Sequence, residues 1–513
     1  MIQMQGMSLA RLLEAVPEHA LRGQASVPIT GYTYDSRAVS GGGMLFAAFE
    51  GATRDGHDYV AEAVARGAAA VMVSRPIGDA AGGVPVVTVP DCRRALALVA
   101  RELYGNPGSR LYTVGVTGTK GKTTTTHILH YLLDTAGIRS GLLGTVGYTT
   151  GAGPAAPAPN TTPEGADLER LFHEMVDNDL THVVMEVSSH ALALGRTALV
   201  RFDLAGFTNL GHDHMDFHPD VEDYARSKAL LFSALEPGSA AVVNADDASS
   251  QLMADVARRA GARVSRVSSG GGIALSMPVM PGDRSLRASD VQLRPHGSSF
   301  RATDSRTGRS AMIECSLTGA FNVSNTLVAL GLALEIGLDL EWAASVMPGF
   351  SGVRGRFEAV DAGQNFSVIV DFAHNPDSLR NVLIAARVLG EGRVISVFGC
   401  GGDRDRSKRP LMGAASRELA DVSIVTSDNP RSEDPSAIAA EIAAGMGPRD
   451  ESWSVIVDRR EAIRHAVGLA RPGDVVVIAG KGPETYQIFR DRTVRFDDAE
   501  EVRAAIGELT TDV

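Results

Sequence analysis

The stretch Gly115-Val116-Thr117-Gly118-Thr119-Lys120-Gly121-Lys122-Thr123 limits the possible folds more than any other part of the chain. A β-branched run, LYTVGV, enters a glycine-containing loop and leaves it on a helix start. Glycines let backbone N–H groups approach phosphate oxygens, and the N-terminus of a helix favours their negative charge. In such a loop Lys122 would neutralise the β- and γ-phosphates of a nucleotide and Thr123 would orient Mg²⁺. Gly118, Thr119, Lys120, Gly121 and Thr124 complete the cradle. A purely structural turn is the alternative, but strand, loop and helix stand in the order that phosphate binding needs.

Around this unit, short β-branched runs alternate with helical patterns, which argues for an α/β protein of parallel sheets covered by helices. At about 150 residues per domain, 513 residues suggest three or four domains. GGMLFAAFEG, AAAVMVS and VPVVTVP read as strands of a first domain, with helices near Tyr59 to Arg66 and Cys92 to Leu103, and GNPGSR as the linker that follows. The second domain contains THVVMEV, FDLAGFTNL and a Pro/Ala/Gly segment, GAGPAAPAPN, expected to be a mobile surface loop. Alternating residues from Val291 to Ser316 suggest a small antiparallel meander, and NVSNTLVALGLALEIG a long apolar helix. After MPGFSGVRGR, the runs FSVIVDF, RVISVFG, DVSIVTS, WSVIV and DVVVIAG indicate a Rossmann-like third domain. The expected divisions are residues 1–108, 109–347 and 348–513, the middle one carrying the phosphate loop (P-loop).

Hydrophobic residues at 44% supply several cores, so wholesale disorder is excluded. The formal charge of −12 gives no general reason to bind nucleic acid or an anionic membrane, so anionic ligands need local cations. Cys92, Cys315 and Cys400 lack the spacing of a zinc site or disulfide framework and read as buried thiols of a reducing compartment. The start of the chain does not resemble a secretory signal, and no apolar run reaches the roughly 18 residues of a membrane span. A cytoplasmic protein is expected.

Glu186 ends the strand THVVMEV, where an acid can face Mg²⁺ beside the phosphate loop, or merely close a strand. His214, in GHDHMDFH, is a metal-site candidate, with a hydrogen-bonding histidine as the alternative. Lys228, within VEDYARSKALLF, reads on its own as a solvated helix lysine.

Together these residues resemble the Mur ligase family, in particular its members that add the third amino acid of the cell-wall peptide. The resemblance spans nearly the whole chain: DSR at Asp35 to Arg37, GVTGTKGKTT, NTTP, EVSSHAL, GHDHMDFH, Phe321-Asn322, GVRGRFE, DFAHNPDSL, GCGGDRDRSKRP, SDNPRSEDP and GKGPE. It implies a uridine-nucleotide-substrate domain, a central ATPase and a C-terminal domain that closes over the site. The implied reaction is ATP-dependent amide formation, in which the D-glutamyl carboxylate of UDP-N-acetylmuramoyl-L-alanyl-D-glutamate becomes an acyl phosphate that an amine then attacks. It further implies that Lys122, Lys228 and His214 are catalytic, with Lys228 carbamylated to an N6-carboxylysine, and that Thr123, Glu186, His214 and Lys228 serve the metal. Asn322, Arg356, Asp371, His374 and Asn375 are similar to residues around the ATP base, ribose and hinge, although a helix cap at Asn322 and a turn at HNP also account for them. Ser36 resembles the uridine-nucleotide contact, and Thr161, Thr162, Ser188 and Arg196 resemble contacts to the muramoyl dipeptide.

Asp428-Asn429-Pro430-Arg431 follows the strand DVSIVTS and is similar to the loop of members that take meso-diaminopimelate. Arginine pairs with the distal carboxylate that lysine lacks. Arg404, Gly480 and Glu484 match further diaminopimelate positions. Two residues depart from the family pattern: Pro483 stands where histidine is usual, and Leu194 where some relatives have glutamine. L-Lysine or L-ornithine as the third amino acid, or a nucleotide-regulated ATPase that forms no bond, remain alternatives. A monomer is expected.

Overall fold

The computed structural model describes residues 6–51, 54–153, 155–156, 158–211, 213–215, 217–270, 283–294 and 297–511. The first sheet runs in the order Ala20–Arg22, Val86–Thr88, Ala70–Val73, Met44–Ala47, Gly31–Thr33, parallel except at its Ala20–Arg22 edge. Its inner strands are apolar on both faces because both are covered. Leu45, Ala47, Ala70 and Met72 pack under helix Cys92–Leu103, while Phe46, Val71 and Val73 pack with Val60 and Ala63 on the other side. This unit docks on helix Gly165–Asp177 of the next through Tyr32, whose hydroxyl donates to Ala166 O (2.7 Å), and Arg101, paired with Glu169 (3.1 Å).

Among the described residues, the central sheet runs Tyr148–Thr149, Ser140–Leu143, His182–Glu186, Tyr112–Thr117, Phe202–Phe207, Leu235–Asn244, Arg263–Ser268, Arg284–Arg294, Gly297–Asp304, Ser310–Cys315. Strands from Ser140–Leu143 to Arg284–Arg294 are parallel and the last pairs antiparallel. The expected meander is therefore present but forms no sheet of its own. Its first strand begins at Arg284 and pairs in parallel with Ser265 to Ser268, extending the central sheet. Leu286, Ala288, Phe300, Ala302 and Ile313 lie in one core with helix Ala320–Ile336, which is apolar around most of its circumference because it is buried. In the Pro/Ala/Gly loop, Ala156 exchanges backbone hydrogen bonds with Tyr148 (both 2.9 Å).

The third sheet runs Glu358–Ala359, Ser367–Asp371, Val475–Ala479, Val394–Phe398, Val422–Val425, Trp453–Val455, parallel apart from the first. Helices Pro376–Arg387, Lys408–Leu419 and Pro435–Ala443 cover one face, and Arg459–Leu469 and Asp498–Thr511 the other. Met347, Phe350 and Val353 are buried in the central core and Phe357 in the third, so the chain crosses between the two over residues 354–356. Cys92, Cys315 and Cys400 are buried free thiols. Among the described residues no helix is long and apolar enough to cross a membrane.

Candidate active site

Parallel sheets gather ligand loops at the carboxyl ends of their strands. The strand Tyr112–Thr117 lies between His182–Glu186 and Phe202–Phe207, and the phosphate loop leaves from its carboxyl end into helix Lys122–Thr135. Glycine is required twice in the loop. A Cβ on Gly118 (φ +150°) would come 1.9 Å from Thr208 Oγ1, and one on Gly121 (φ +84°) 2.1 Å from Asn325 Oδ1. Lys122 Nζ folds back to donate to Gly118 O (2.7 Å) and Thr119 O (3.0 Å). Desolvation pushes its pKa down to about 8 against the pull of Glu186.

Lys228 is buried in helix Val221–Ser233, contrary to the solvated reading. Its Nζ donates to the same Gly118 O (2.9 Å) and lies 4.2 Å from the centroid of the Tyr224 ring. Burial, and then the charge of Lys122, push its pKa well below the ordinary lysine range. Lys120 pairs with Asp213 (3.1 Å). Burial works to raise the Asp213 carboxyl, but Lys120 and His214 outweigh it and leave a pKa of about 2.

Glu186 joins the phosphate loop to the next group of residues. Its Oε2 accepts from the hydroxyls of Thr123 (3.0 Å) and Thr145 (3.2 Å), and Oε1 from the Thr145 amide (2.8 Å). The Thr145 hydroxyl also bonds that of Thr161 (3.1 Å). Thr162 Oγ1 donates to Glu186 O (2.9 Å) and accepts from the Ser188 amide (3.0 Å), while Arg196 donates to Thr162 O (3.1 Å). Ser188 caps helix Ser189–Ala193. Ser36 stays within the first unit, bonded to Glu62 (2.9 Å). Between the two units a cavity of about 340 Å³ is lined by Tyr34, Tyr148, Asn160, Asp167 and Arg170 among others. The His214 ring packs edge-on to that of His190 (4.7 Å). Among the described residues no three His, Cys, Asp or Glu side chains gather into a metal set.

From the third unit, Asn375 caps helix Pro376–Arg387 and also donates to Asp213 across the domain junction (3.3 Å). His374 Nδ1 meets Phe372 O (2.8 Å), and burial lowers its pKa to about 4. Asp371, its pKa raised by burial, accepts the Phe357 amide (2.7 Å). Arg356 stacks over Phe372 (4.7 Å), and among the described residues its buried Nε has no hydrogen-bond partner. Asn322 is not the helix cap, which is Gly319. It lies inside the helix, donating to Thr318 O (2.9 Å) and accepting from Asn325 (3.0 Å).

The loops that carry Asp428 to Arg431 and Gly480 to Glu484 meet at the carboxyl edge of the third sheet. Asn429 donates to Glu484 Oε2 (2.7 Å). Arg431, at φ +51°, donates to Gly402 O (2.8 Å). Gly480, at φ +121°, lets Asp428 approach, since a Cβ there would lie 2.8 Å from Asp428 Oδ2. Pro430 O accepts the Glu433 amide (3.1 Å), and Arg404 is exposed and donates to the neighbouring Asp403 O (3.1 Å). Pro483 is accommodated: Gly482 (φ +50°) and Pro483 form a turn closed by Glu484 N–H to Lys481 O (3.1 Å), which needs no N–H from residue 483. Leu194 caps the end of helix Ser189–Ala193 and is exposed. Sequence reasoning missed Thr145, Asp213 and Lys481; a lysine enclosed between Gly480 and Gly482 at the end of an apolar strand was the available signal for the last.

Hydroxyl and carboxylate oxygens at Thr123 and Glu186 are the hard donors Mg²⁺ prefers, and the orphaned Arg356 Nε suits a nucleotide. The chain matches the Mur ligase family, catalytic domain over residues 28–104, the Mur ligase middle domain over 116–333, and the Mur ligase, glutamate ligase domain over 355–482. It is 45% identical over 509 residues to the UDP-N-acetylmuramoyl-L-alanyl-D-glutamate–2,6-diaminopimelate ligase of Geobacillus thermodenitrificans (strain NG80-2), covering 98% of this chain and 100% of the relative. The chain belongs to the Mur ligase family. A solved structure of a ligase of the same name aligns with this Mur ligase at a TM-score of 0.66 and 33% identity, covering 99% of this chain and 100% of that one. The fold is shared with MurF ligase from Thermotoga maritima in complex with ADP, at a TM-score of 0.60 and 19% identity, covering 94% of this chain and 98% of that one.

Proposed function

We propose that this Mur ligase joins meso-diaminopimelate to the D-glutamyl carboxylate of UDP-N-acetylmuramoyl-L-alanyl-D-glutamate at the expense of ATP. The observation that carries the reading is the unbroken hydrogen-bonded path from Thr123 through Glu186 and Thr145 to Thr161, with Thr162 on the Glu186 backbone. It sets the groups suited to ATP beside those suited to the dipeptide, as transfer between them requires. The division of labour is 1–108 for the uridine nucleotide, the central unit from 109 for ATP and the third unit for the amino acid, the last boundary lying not at 348 but at 354–356, since Phe350 and Val353 belong to the central core. The nucleotide chemistry fits the cytoplasm, where ATP is regenerated.

In this reading Lys122 leaves its loop carbonyls for the ATP phosphates, and Thr161, Thr162, Ser188 and Arg196 orient the dipeptide. A D-glutamyl carboxylate oxygen attacks the γ-phosphorus, the bond to the bridging oxygen breaks, and ADP departs. The amine of diaminopimelate then attacks the acyl carbon, phosphate leaves with the C–O bonding pair, and the nitrogen loses a proton. Thr123 and Glu186 would hold Mg²⁺, with His214 and Lys228 completing the set; bound there, it offsets phosphate charge. Burial and the charge of Lys122 favour the unprotonated form of Lys228, which is suited to take up CO₂: its nitrogen bonds the carbon and releases a proton, leaving a carbamate anion beside Lys122 and Lys120. Arg431 and Asn429 face the distal carboxylate of the amino acid and Glu484 its ammonium.

The test supplies ATP, Mg²⁺ and UDP-muramoyl dipeptide with meso-diaminopimelate, L-lysine or L-ornithine separately, and follows phosphate and peptide product. Product with diaminopimelate alone is expected. Phosphate release that ignores the acceptor would sink the ligase reading, and a preference for lysine would remove the role given to Arg431.

A further inference from the structure

Lys481 is fully buried at the end of strand Val475–Ala479, in the loop that carries Gly480 and Glu484. A buried ammonium persists only where acceptors replace water. Here they are Glu484 Oε2 (3.0 Å) and Asn429 Oδ1 (3.1 Å), with Asp428 Oδ1 at 3.9 Å. Asn429 Oδ1 takes a second donor, the Ile488 amide (3.0 Å), and Nδ2 donates to Glu484 Oε2 (2.7 Å). Turning the amide over would set its NH₂ against the Lys481 ammonium and the Ile488 N–H, donor against donors, and break the bond to Glu484. Both contacts to Glu484 fall on one oxygen, directing Oε1 elsewhere.

We infer that Lys481 is a positioning residue for amino-acid selection: it fixes the orientation of Asn429 and holds one oxygen of Glu484. Their remaining N–H and oxygen are then presented to a zwitterionic acceptor. This rests on the functional reading above, since it concerns the same acceptor site.

Lys481→Met keeps the length and the apolar stem and removes the ammonium. KM for diaminopimelate is expected to rise at least tenfold, with KM for ATP and for the UDP-muramoyl dipeptide within twofold of the parent. In an Asn429→Ala background the same change should raise KM for diaminopimelate by less than it does alone, because part of what Lys481 orients is gone. Equal rises in all three KM values, no rise for diaminopimelate, or full additivity in the double variant would each overturn the inference. If Lys481→Met does not fold, Lys481→Gln, which keeps a donor for Asn429 without charge, is judged by the same three constants and the same cycle. A parent enzyme that makes no product with diaminopimelate refutes the functional reading, whereas a working parent with unchanged acceptor KM in the variant refutes only the role of Lys481.

Discussion

Glu186→Gln separates charge from shape at the centre of the site. Oε1 accepts the Thr145 amide at 2.8 Å, while Oε2 accepts the hydroxyls of Thr123 at 3.0 Å and Thr145 at 3.2 Å. Glutamine preserves the length and the acceptor for the amide, and the two hydroxyls can rotate to accept from its NH₂. Stability then falls by the difference between charge-assisted and neutral hydrogen bonds, about 1 kcal/mol at each of the two hydroxyls. For a unit the size of the central one, ~2 kcal/mol lowers the melting temperature by roughly 4–8 °C. The chemical effect is larger. At an effective dielectric of about 20, unit charges about 4 Å apart interact by about 4 kcal/mol, so loss of the carboxylate charge that would face Mg²⁺ slows turnover roughly a thousandfold. Acceptor-dependent phosphate release at saturating Mg²⁺, beside a thermal melt of the same preparation, checks both figures. Near-normal turnover in Glu186→Gln would refute the metal role, and a melt so depressed that unfolding explains the lost activity would refute the hydrogen-bond reasoning.

Lys122 has a pKa lowered to about 8, so its cationic form, which would hold phosphate in the proposed reaction, is complete well below that pH and lost as pH rises through it. KM for ATP should be flat below pH 8 and climb toward about tenfold per pH unit above it, and a pH series of KM that stays flat to pH 10 would contradict this. Arg431→Ala should raise KM for diaminopimelate roughly tenfold to a hundredfold, the equivalent of a charge-assisted hydrogen bond of about 1.5–3 kcal/mol, with KM for ATP unchanged in the same assay. Lys228→Ala should abolish acyl-phosphate formation while ATP still binds, measured by rapid-quench phosphate transfer and by equilibrium titration. Wild-type transfer in that variant would remove the carbamate from the mechanism.

The phosphate loop was legible because its function is local: strand, glycines and helix start are contiguous, and the positive φ values at Gly118 and Gly121 demand the residues written there. The strands of the third sheet were legible for a similar reason, since buried parallel strands are unbroken apolar runs. The meander showed as alternation, but its attachment to the central sheet depends on Ser265 to Ser268 pairing with Arg284 to Arg287, and nothing in either segment names its partner. Lys228 shows the same limit. A helix lysine is usually solvated, and only the packing of Tyr224 and Gly118 around it reveals burial. Asp213 was hidden among several possible ligands in GHDHMDFH, and its partners Lys120 and Asn375 lie 93 and 162 positions away.

Those distant partners explain how separate sheets can serve one reaction. The central and third sheets have their own cores, so their carboxyl edges come together only through groups that reach across. Asp213 Oδ2 accepts from Lys120 on the phosphate loop and from Asn375, the cap of the first helix after strand Ser367–Asp371. At the crossing itself, a Cβ on Gly355 would lie 2.1 Å from Gly482 C, so the connecting chain presses against the turn that carries Lys481 and Glu484. One contact thus ties the third unit to the Gly118–Thr123 loop, and the other ties the crossing chain to the turn of Lys481 and Glu484, so the two sheets that carry the proposed half-sites are joined at both edges.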